Sequence, residues 1–235
     1  MKLNIMSFNT QHCKNYVTGR IDFDVMADAI RKCGADVIGL NEMRGAGVDP
    51  AYTAQVRTLA RKLGYHYRFA PAIRLPQGPY GNGLLSRFPI IAAKVIPIPD
   101  PDPKVPGRRH YESRCILKAR IGAGEGIDVL VTHFGLNPDE AENAVDTVLR
   151  SLSPRRCVLM GDFNLTPESP LLTPLRERLS DTARFFPAPL LSFPSDEPKR
   201  KIDYIFTTPD LRVVSADIPA VVASDHRPHT AVIEL

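Results

Sequence analysis

Ten short apolar runs punctuate this 235-residue chain, each four to nine residues long, and only three helix-like stretches lie between them. The runs are "KLNIMSF", "DVIGL", "GLLS", "IIAAKVIPI", "CILKARI", "IDVLVTHF", "RCVLM", "DYIFTT", "LRVVSADI" and "HTAVIEL". Runs of this length bounded by polar or proline-bearing breaks read as strands. Many strands with few helices between them point to an α/β fold of two sheets packed face to face, with helices on the outside. Strict strand–helix alternation fails in the middle, which argues against a simple Rossmann-type sheet. At 43% hydrophobic, the chain can bury a substantial core, and one domain over residues 1–235 is expected.

The helices carry their own start and stop signals. "DFDVMADAIRKCG" places Phe23, Met26, Ala27 and Ile30 on one face, with Asp22 as cap and Gly34 as terminator. "DPAYTAQVRTLARKLG" predicts a second helix capped by Asp49, with Pro50 in its first turn, Val56, Leu59, Ala60 and Leu63 inward, and Gly64 at its end. "NPDEAENAVDTVLRSL" starts at Asn137 and turns Ala141, Ala144, Val145, Val148 and Leu152 to the core. These stripes are packing signals without catalytic meaning. Two proline-rich stretches, "PIPDPDPKVPGRRHY" and "FFPAPLLSFPSDEPKRK", read as stiff extended loops.

Several function classes fall away on composition. A net charge of +4 is too small for a tail-driven nucleic-acid binder, yet it allows a positive cleft facing phosphates. No run approaches eighteen apolar residues, so no membrane insertion is expected. "MKLNIMSFNT" lacks a sustained apolar segment and a cleavage site, so no signal peptide is expected. Cys13, Cys33, Cys115 and Cys157 are widely and irregularly spaced; they read as reduced thiols of a cytoplasmic protein rather than as a zinc site.

The chemistry gathers at the ends of the strands. "VLMGDFNLTPES" breaks an apolar run abruptly with Gly161, Asp162 and Asn164, residues that strands avoid. Taken alone, "GDFN" reads as a tight turn. The same grammar recurs, however: "NIMSFN" ends on Asn9, "VIGLNE" on Asn41 and Glu42, and "VLVTHFGLN" on His133, while Asp203 opens "DYIF" and Asp225 and His226 precede the last strand. If those ends meet, they form one polar pocket with several carboxylates, an arrangement that is costly unless a cation sits among them.

In their order and approximate spacing, "SFN", "LNE", "GNGLLSR", "THF", "GDFN", "KIDYIF" and "SDHRP" resemble the endonuclease/exonuclease/phosphatase superfamily, the DNase I-like metal-dependent phosphodiesterases. The resemblance spans about residues 3–234. It implies a four-layered α/β sandwich whose active site lies where the loops of the two sheets converge.

The same resemblance implies roles. Glu42 is the expected ligand of Mg²⁺ or Mn²⁺, helped by Asn9 and by Asp225, which has a rival use as an acceptor in the histidine network. One or two carboxylates are the usual protein share for Mg²⁺. Asp162 and Asn164 are expected to orient and deprotonate the attacking water, with Gly161 letting the backbone turn close to the substrate. His226, fixed by Asp203, is expected to bind a non-bridging phosphate oxygen as an imidazolium. His133 matches the DNase I and neutral sphingomyelinase branches and either protonates the leaving oxygen or binds phosphate. Asn82 either contacts substrate or pins a loop. Arg109 and Arg114 (with Arg108 and His110) are candidate phosphate contacts or a solvated basic loop, and Lys199, Arg200 and Lys201 carry the same two readings. Phe193 is a candidate stacking surface, standing in for the tryptophan common near this motif in abasic-site endonucleases, since the chain has no Trp.

The implied activity is hydrolysis of phosphate esters, most directly a phosphodiester, by in-line attack of an activated water. A phosphoester is the expected partner: nucleic acid, a lipid head group or a small molecule. No protein partner is expected. The competing reading is a binding or scaffold module on the same fold with a degenerate site, because a fold does not by itself confer an activity.

Overall fold

A computed structural model describes residues 1–235. The strands are β1 (Lys2–Asn9), β2 (Val37–Arg44), β3 (His66–Leu75), β4 (Gly78–Ser86), β5 (Ile90–Ile98), β6 (Arg114–Ile121), β7 (Ile127–His133), β8 (Cys157–Asp162), β9 (Ser180–Asp181), β10 (Asp203–Thr207), β11 (Arg212–Asp217) and β12 (His229–Glu234). The helices are α1 (Phe23–Cys33), α2 (Gln55–Leu63), α3 (Pro138–Ser151) and the single-turn α4 (Thr173–Arg176). The strands form two six-stranded mixed sheets, ordered β11-β12-β1-β2-β4-β3 and β5-β6-β7-β8-β10-β9. Each sheet holds one parallel pair, β1–β2 in the first and β7–β8 in the second.

Alternation along the central strands explains the layers. Ile5, Val37, Val129, Val131, Val158 and Met160 point between the sheets into a shared core. Their neighbours Met6, Ile38 and Leu40 face outward onto Met26, Ile30 and Leu59 of α1 and α2. On the other side, Leu130 and Leu159 meet Ala141, Ala144 and Val148 of α3. Strands covered on both faces read as continuous apolar runs, as these do. Each such aliphatic side chain contributes about 1.5–3 kcal/mol by leaving water, so both faces must be covered for the sandwich to hold.

Two of the three expected helix starts are found. The Asp22 carboxylate accepts from the N–H groups of Asp24 and Val25, and Gly34 closes α1 at φ 61°. At α3, the Glu140 carboxylate accepts from the Asn137 N–H at 3.1 Å. The start of α2 is a correction. The helix begins at Gln55, behind a left-handed Ala54 that offers no side-chain cap. Asp49 instead accepts from the Ala51 N–H at 2.7 Å and closes a local turn, so its capping chemistry serves the loop. The inward positions Val56, Leu59 and Ala60 and the terminator Gly64 stand as expected.

One long strand, β3, has no counterpart among the ten expected runs. Its sequence "HYRFAPAIRL" contains Pro71 and three basic residues, and such a run reads poorly as a strand. It tolerates them because it is the edge of its sheet, with a bulge between Pro71 and Ile73. "GLLS" likewise is only the end of the nine-residue β4. No helix is long and apolar enough to cross a membrane.

Candidate active site

Sheet register assembles the site. Asn9 and Asn41 are paired at the carboxyl ends of β1 and β2. His133, Asp162 and Asp203 stand side by side on β7, β8 and β10. The loop entering β12 brings in Asp225 and His226, and where the two sheets meet at these ends Asn9 Nδ2 donates to Asp162 Oδ2 at 3.0 Å. Glu42 reaches the cavity through a bulge. The β2–β4 register shifts between Leu40 and Met43, and Glu42 is held at φ 61°. A non-glycine residue kept in the left-handed region is strained, and the bulge re-aims its side chain. The result is a cavity of about 710 Å³ whose walls include Glu42, His133, Asp162, Asn164, Asp225 and His226.

The polar atoms are tightly shared. His226 Nδ1 lies 2.8 Å from Asp203 Oδ2, and its Nε2 lies 3.6 Å from Asp162 Oδ2. His133 Nε2 is also 3.6 Å from Asp162 Oδ2, while Arg114 approaches His133 Nδ1 at 3.3 Å. Nε2 of His133 also lies 3.2 Å from Asn164 Nδ2, so the ring is held between a guanidinium on one nitrogen and an amide and the Asp162 carboxylate on the other. The other Asp162 oxygen accepts from the Asn164 N–H at 2.9 Å. Asn164 sits at φ 53° and donates its amide to the Phe134 carbonyl at 3.1 Å, which fixes it beside His133. Across the cavity, Glu42 accepts from Asn9 Nδ2 and from the Tyr80 hydroxyl, each at 3.0 Å.

Burial and neighbours set the charges. Burial by itself disfavours the His226 cation, but the carboxylates of Asp203 and Asp162 outweigh it and push the ring up to about 10. Burial pushes Asp162 up to about 7, with the His226 cation pulling back and Asp203 adding to the rise. His133 is driven well below its ordinary value by burial and by Arg114, so it is neutral. Burial and the nearby Glu42 carboxylate also raise Asp225, against the pull of His226.

Asp162, Asn164, His226, Asp203, His133, Glu42, Asn9 and Asp225 therefore fall into one place. Some expectations about individual atoms change. Asn9 is fully buried behind the cavity wall: its Nδ2 bridges Glu42 and Asp162, and its Oδ1 accepts from the Gln11 N–H at 3.1 Å, which fits holding the two carboxylates together. Gly161 is required by the sheet, not by a substrate, because a Cβ there would lie 1.8 Å from the Thr132 carbonyl oxygen. Asn82 is not on the cavity wall. It is 2% exposed, donates to the Cys115 carbonyl at 3.0 Å and accepts from Asn41, which fits pinning rather than substrate contact. Arg109 and Arg114 line the cavity, and Arg114 is already paired with Glu112 at 2.8 Å. Phe193 packs against the His226 ring at 4.8 Å with Arg200 over its own face. Lys201 is neither solvated nor on a phosphate path. It is buried under Asp203, donating to its carbonyl at 3.1 Å, and burial lowers it to about 7.

Sequence reasoning missed four residues. Asn41 is the hub between the sheets: its oxygen accepts from the Asp162 N–H at 2.9 Å, and its amide donates to Thr132 O and Asn82 Oδ1 at 2.8 Å each. Its place beside Glu42 at a strand end was the available signal. His12, Arg44 and Tyr80 also line the cavity: His12 lies in a turn and Tyr80 inside β4, where no strand-end pattern marks them, and Arg44 ends β2 two residues past Glu42.

The donor set fits a hard divalent cation on the Glu42 side. Glu42, Asp225 and Asp162 put three carboxylates on one cavity, and two of them are raised by burial as uncompensated acids are. Ligand atoms of Asp162, Asp203 and His226 also lie within 4.8 Å of one another. There the imidazolium already supplies the positive charge, so a cation would have to displace the 2.8 Å pairing with Asp203.

Comparison with known proteins agrees with this fold. The model of the Endonuclease/Exonuclease/phosphatase family matches residues 6–226. The uncharacterized protein YbhP of Escherichia coli K12 is 27% identical, covering 89% of this chain and 87% of its own length. An endonuclease/exonuclease/phosphatase from Beutenbergia cavernae superposes with a TM-score of 0.80 at 26% identity, over 100% of this chain and 72% of that one. A mannosyl-6-phosphatase of Bacteroides thetaiotaomicron shares the fold at a TM-score of 0.79 and 16% identity, over 99% of this chain and 100% of that one. With residues of five of its motifs on one cavity wall and a family match running nearly end to end, the chain belongs to the endonuclease/exonuclease/phosphatase family.

Proposed function

We propose that the protein is a divalent-metal-dependent phosphoester hydrolase, acting on a phosphodiester by direct in-line attack of water without a covalent intermediate. The observation that carries this reading is the buried imidazolium of His226, clamped between Asp203 and Asp162 with its Nε2 edge on the cavity. A buried cation at the wall of such a cavity is suited to negative charge that grows in a transition state.

Mg²⁺ or Mn²⁺ held at the carboxylate of Glu42, with Asp225 across the cavity, would neutralise phosphate charge and favour ionisation of water. The remaining work falls to side chains. Asp162, with an ordinary carboxylate made more basic by burial, accepts a proton from the attacking water. Asn164 holds that carboxylate in place through its backbone N–H. His226 binds a non-bridging oxygen. Neutral His133 lies beside Asp162 on the same wall and gives up no proton, so the leaving oxygen takes its proton from solvent.

The test is hydrolysis of bis-p-nitrophenyl phosphate with Mg²⁺, Mn²⁺ or Ca²⁺, each with and without EDTA, followed by plasmid, single-stranded DNA, RNA, sphingomyelin and sugar phosphates. Turnover that EDTA abolishes and added metal restores is expected. Absence of turnover across all metals and substrates would leave a binding module as the better reading.

A further inference from the structure

We propose that His12 Nδ1 is a ligand of the divalent cation held at Glu42, which makes that centre a mixed nitrogen–oxygen site selective for transition-metal ions over Mg²⁺. The proposal rests on the metal-dependent reading above and deepens it.

Three observations carry it. First, Nδ1 of His12 is buried and has no hydrogen-bond partner, and the ring lines the catalytic cavity. Buried polar atoms are almost always satisfied, so an orphan aimed at a site asks for a ligand. Second, it lies 3.9 Å from Glu42 Oε2. One ion at metal–ligand distances of about 2.0–2.2 Å can touch two atoms so separated. Third, the backbone is bent to put it there. Gln11, His12 and Cys13 are consecutive non-glycine residues at φ 45°, 48° and 61°. Left-handed runs of such residues persist only where surrounding structure over-determines them.

That structure is visible on both sides of the turn. Gln55 Nε2 donates to the His12 carbonyl at 2.7 Å, Cys13 is fully buried in the core beneath, and the Gln11 N–H is held by Asn9. None of these contacts uses the imidazole. The side chain itself makes no hydrogen bond and is 25% exposed, so the turn's rigidity serves the direction of the ring and not the packing of the ring.

The chemistry then separates metals. Glu42 alone offers oxygen, which suits Mg²⁺. An added imidazole nitrogen favours ions further along the first transition row, such as Co²⁺ and Zn²⁺.

His12→Asn is the informative variant, because asparagine tolerates the left-handed backbone while removing the imidazole. Electron spin-echo spectroscopy of the Mn²⁺-loaded protein should show imidazole ¹⁴N modulation that His12→Asn abolishes. Calorimetry should show Co²⁺ affinity falling at least about tenfold in that variant, with Mg²⁺ affinity changing far less. In ¹⁵N-histidine-labelled wild-type protein, Zn²⁺ should move the Nδ1 resonance of His12. Modulation that persists in His12→Asn, or Co²⁺ and Mg²⁺ affinities that fall together or not at all, would overturn the assignment. If Mn²⁺ binds through Glu42 without a His12 nitrogen, only this inference fails. If the wild-type protein binds no Mn²⁺ and hydrolysis ignores EDTA, the hydrolase reading fails with it.

Discussion

Replacing Asp203 by asparagine tests the electrostatic core of the site. In the native protein His226 Nδ1 lies 2.8 Å from Asp203 Oδ2, both side chains are at most 5% exposed, and the ring is held at about 10. From the ordinary value of 6.5, that rise corresponds to roughly 5 kcal/mol of preference for the charged ring. Asp203 acts first among the three carboxylates that raise the ring, ahead of Asp162 and Asp225, so Asp203→Asn removes the largest share and leaves burial to oppose the charge. The ring should then be neutral at pH 8. Hydrolysis of bis-p-nitrophenyl phosphate should fall about 10²–10³-fold at that pH, the usual loss when an oxyanion partner is removed. The sign for stability follows. A raised histidine stabilises the fold fully below its unfolded value, and that contribution is lost as pH rises through about 10. Lys201, lowered to about 7, contributes the opposite slope over the same range, so the readout is the difference: the urea stability of wild type relative to the variant should shrink between pH 7 and 10, and NMR of the histidine ring should show its titration moved down. An unmoved His226 titration, or activity within twofold of wild type at pH 8, would refute the reasoning.

Two further substitutions separate charge from scaffold. Glu42→Gln should abolish metal-stimulated hydrolysis, by about a hundredfold or more, yet in EDTA its melting temperature should equal or exceed that of wild type, because one carboxylate leaves a crowded pocket; differential scanning calorimetry reads this. Asn41→Ala should destabilise by about 3 kcal/mol or more, since it strands the buried Asp162 N–H and Thr132 carbonyl that it now satisfies. Chemical denaturation gives that value directly.

Local chemistry was legible along the chain where it acts locally. Asp22 and Gly34 bound a helix by contacts within three residues, so the pattern alone locates α1. The apolar runs of β1, β2, β7 and β8 announce strands covered on both faces, because solvent is excluded from each. The strand-end residues Glu42, His133, Asp162 and Asp203 stand out because carboxylates and histidines seldom end apolar runs without cause. What needed the third dimension was whatever depends on neighbours distant in sequence. Asp49 looks like a cap until the turn it closes is seen, and β3 looks unlike a strand until it proves to be an edge.

By itself, then, the sequence determined the layered α/β class and the set of side chains at the strand ends, because periodicity and polarity are properties of neighbours along a chain. Tertiary structure alone decided which atoms of those side chains face one another. Asn41 and Asp162 lie 121 positions apart and meet through a single 2.9 Å hydrogen bond. His226 is raised because carboxylates distant in sequence surround it, and Asn9 joins Glu42 to Asp162 through one amide nitrogen. Such facts follow from sheet register and from the stacking of one sheet on the other, which no stretch of sequence contains.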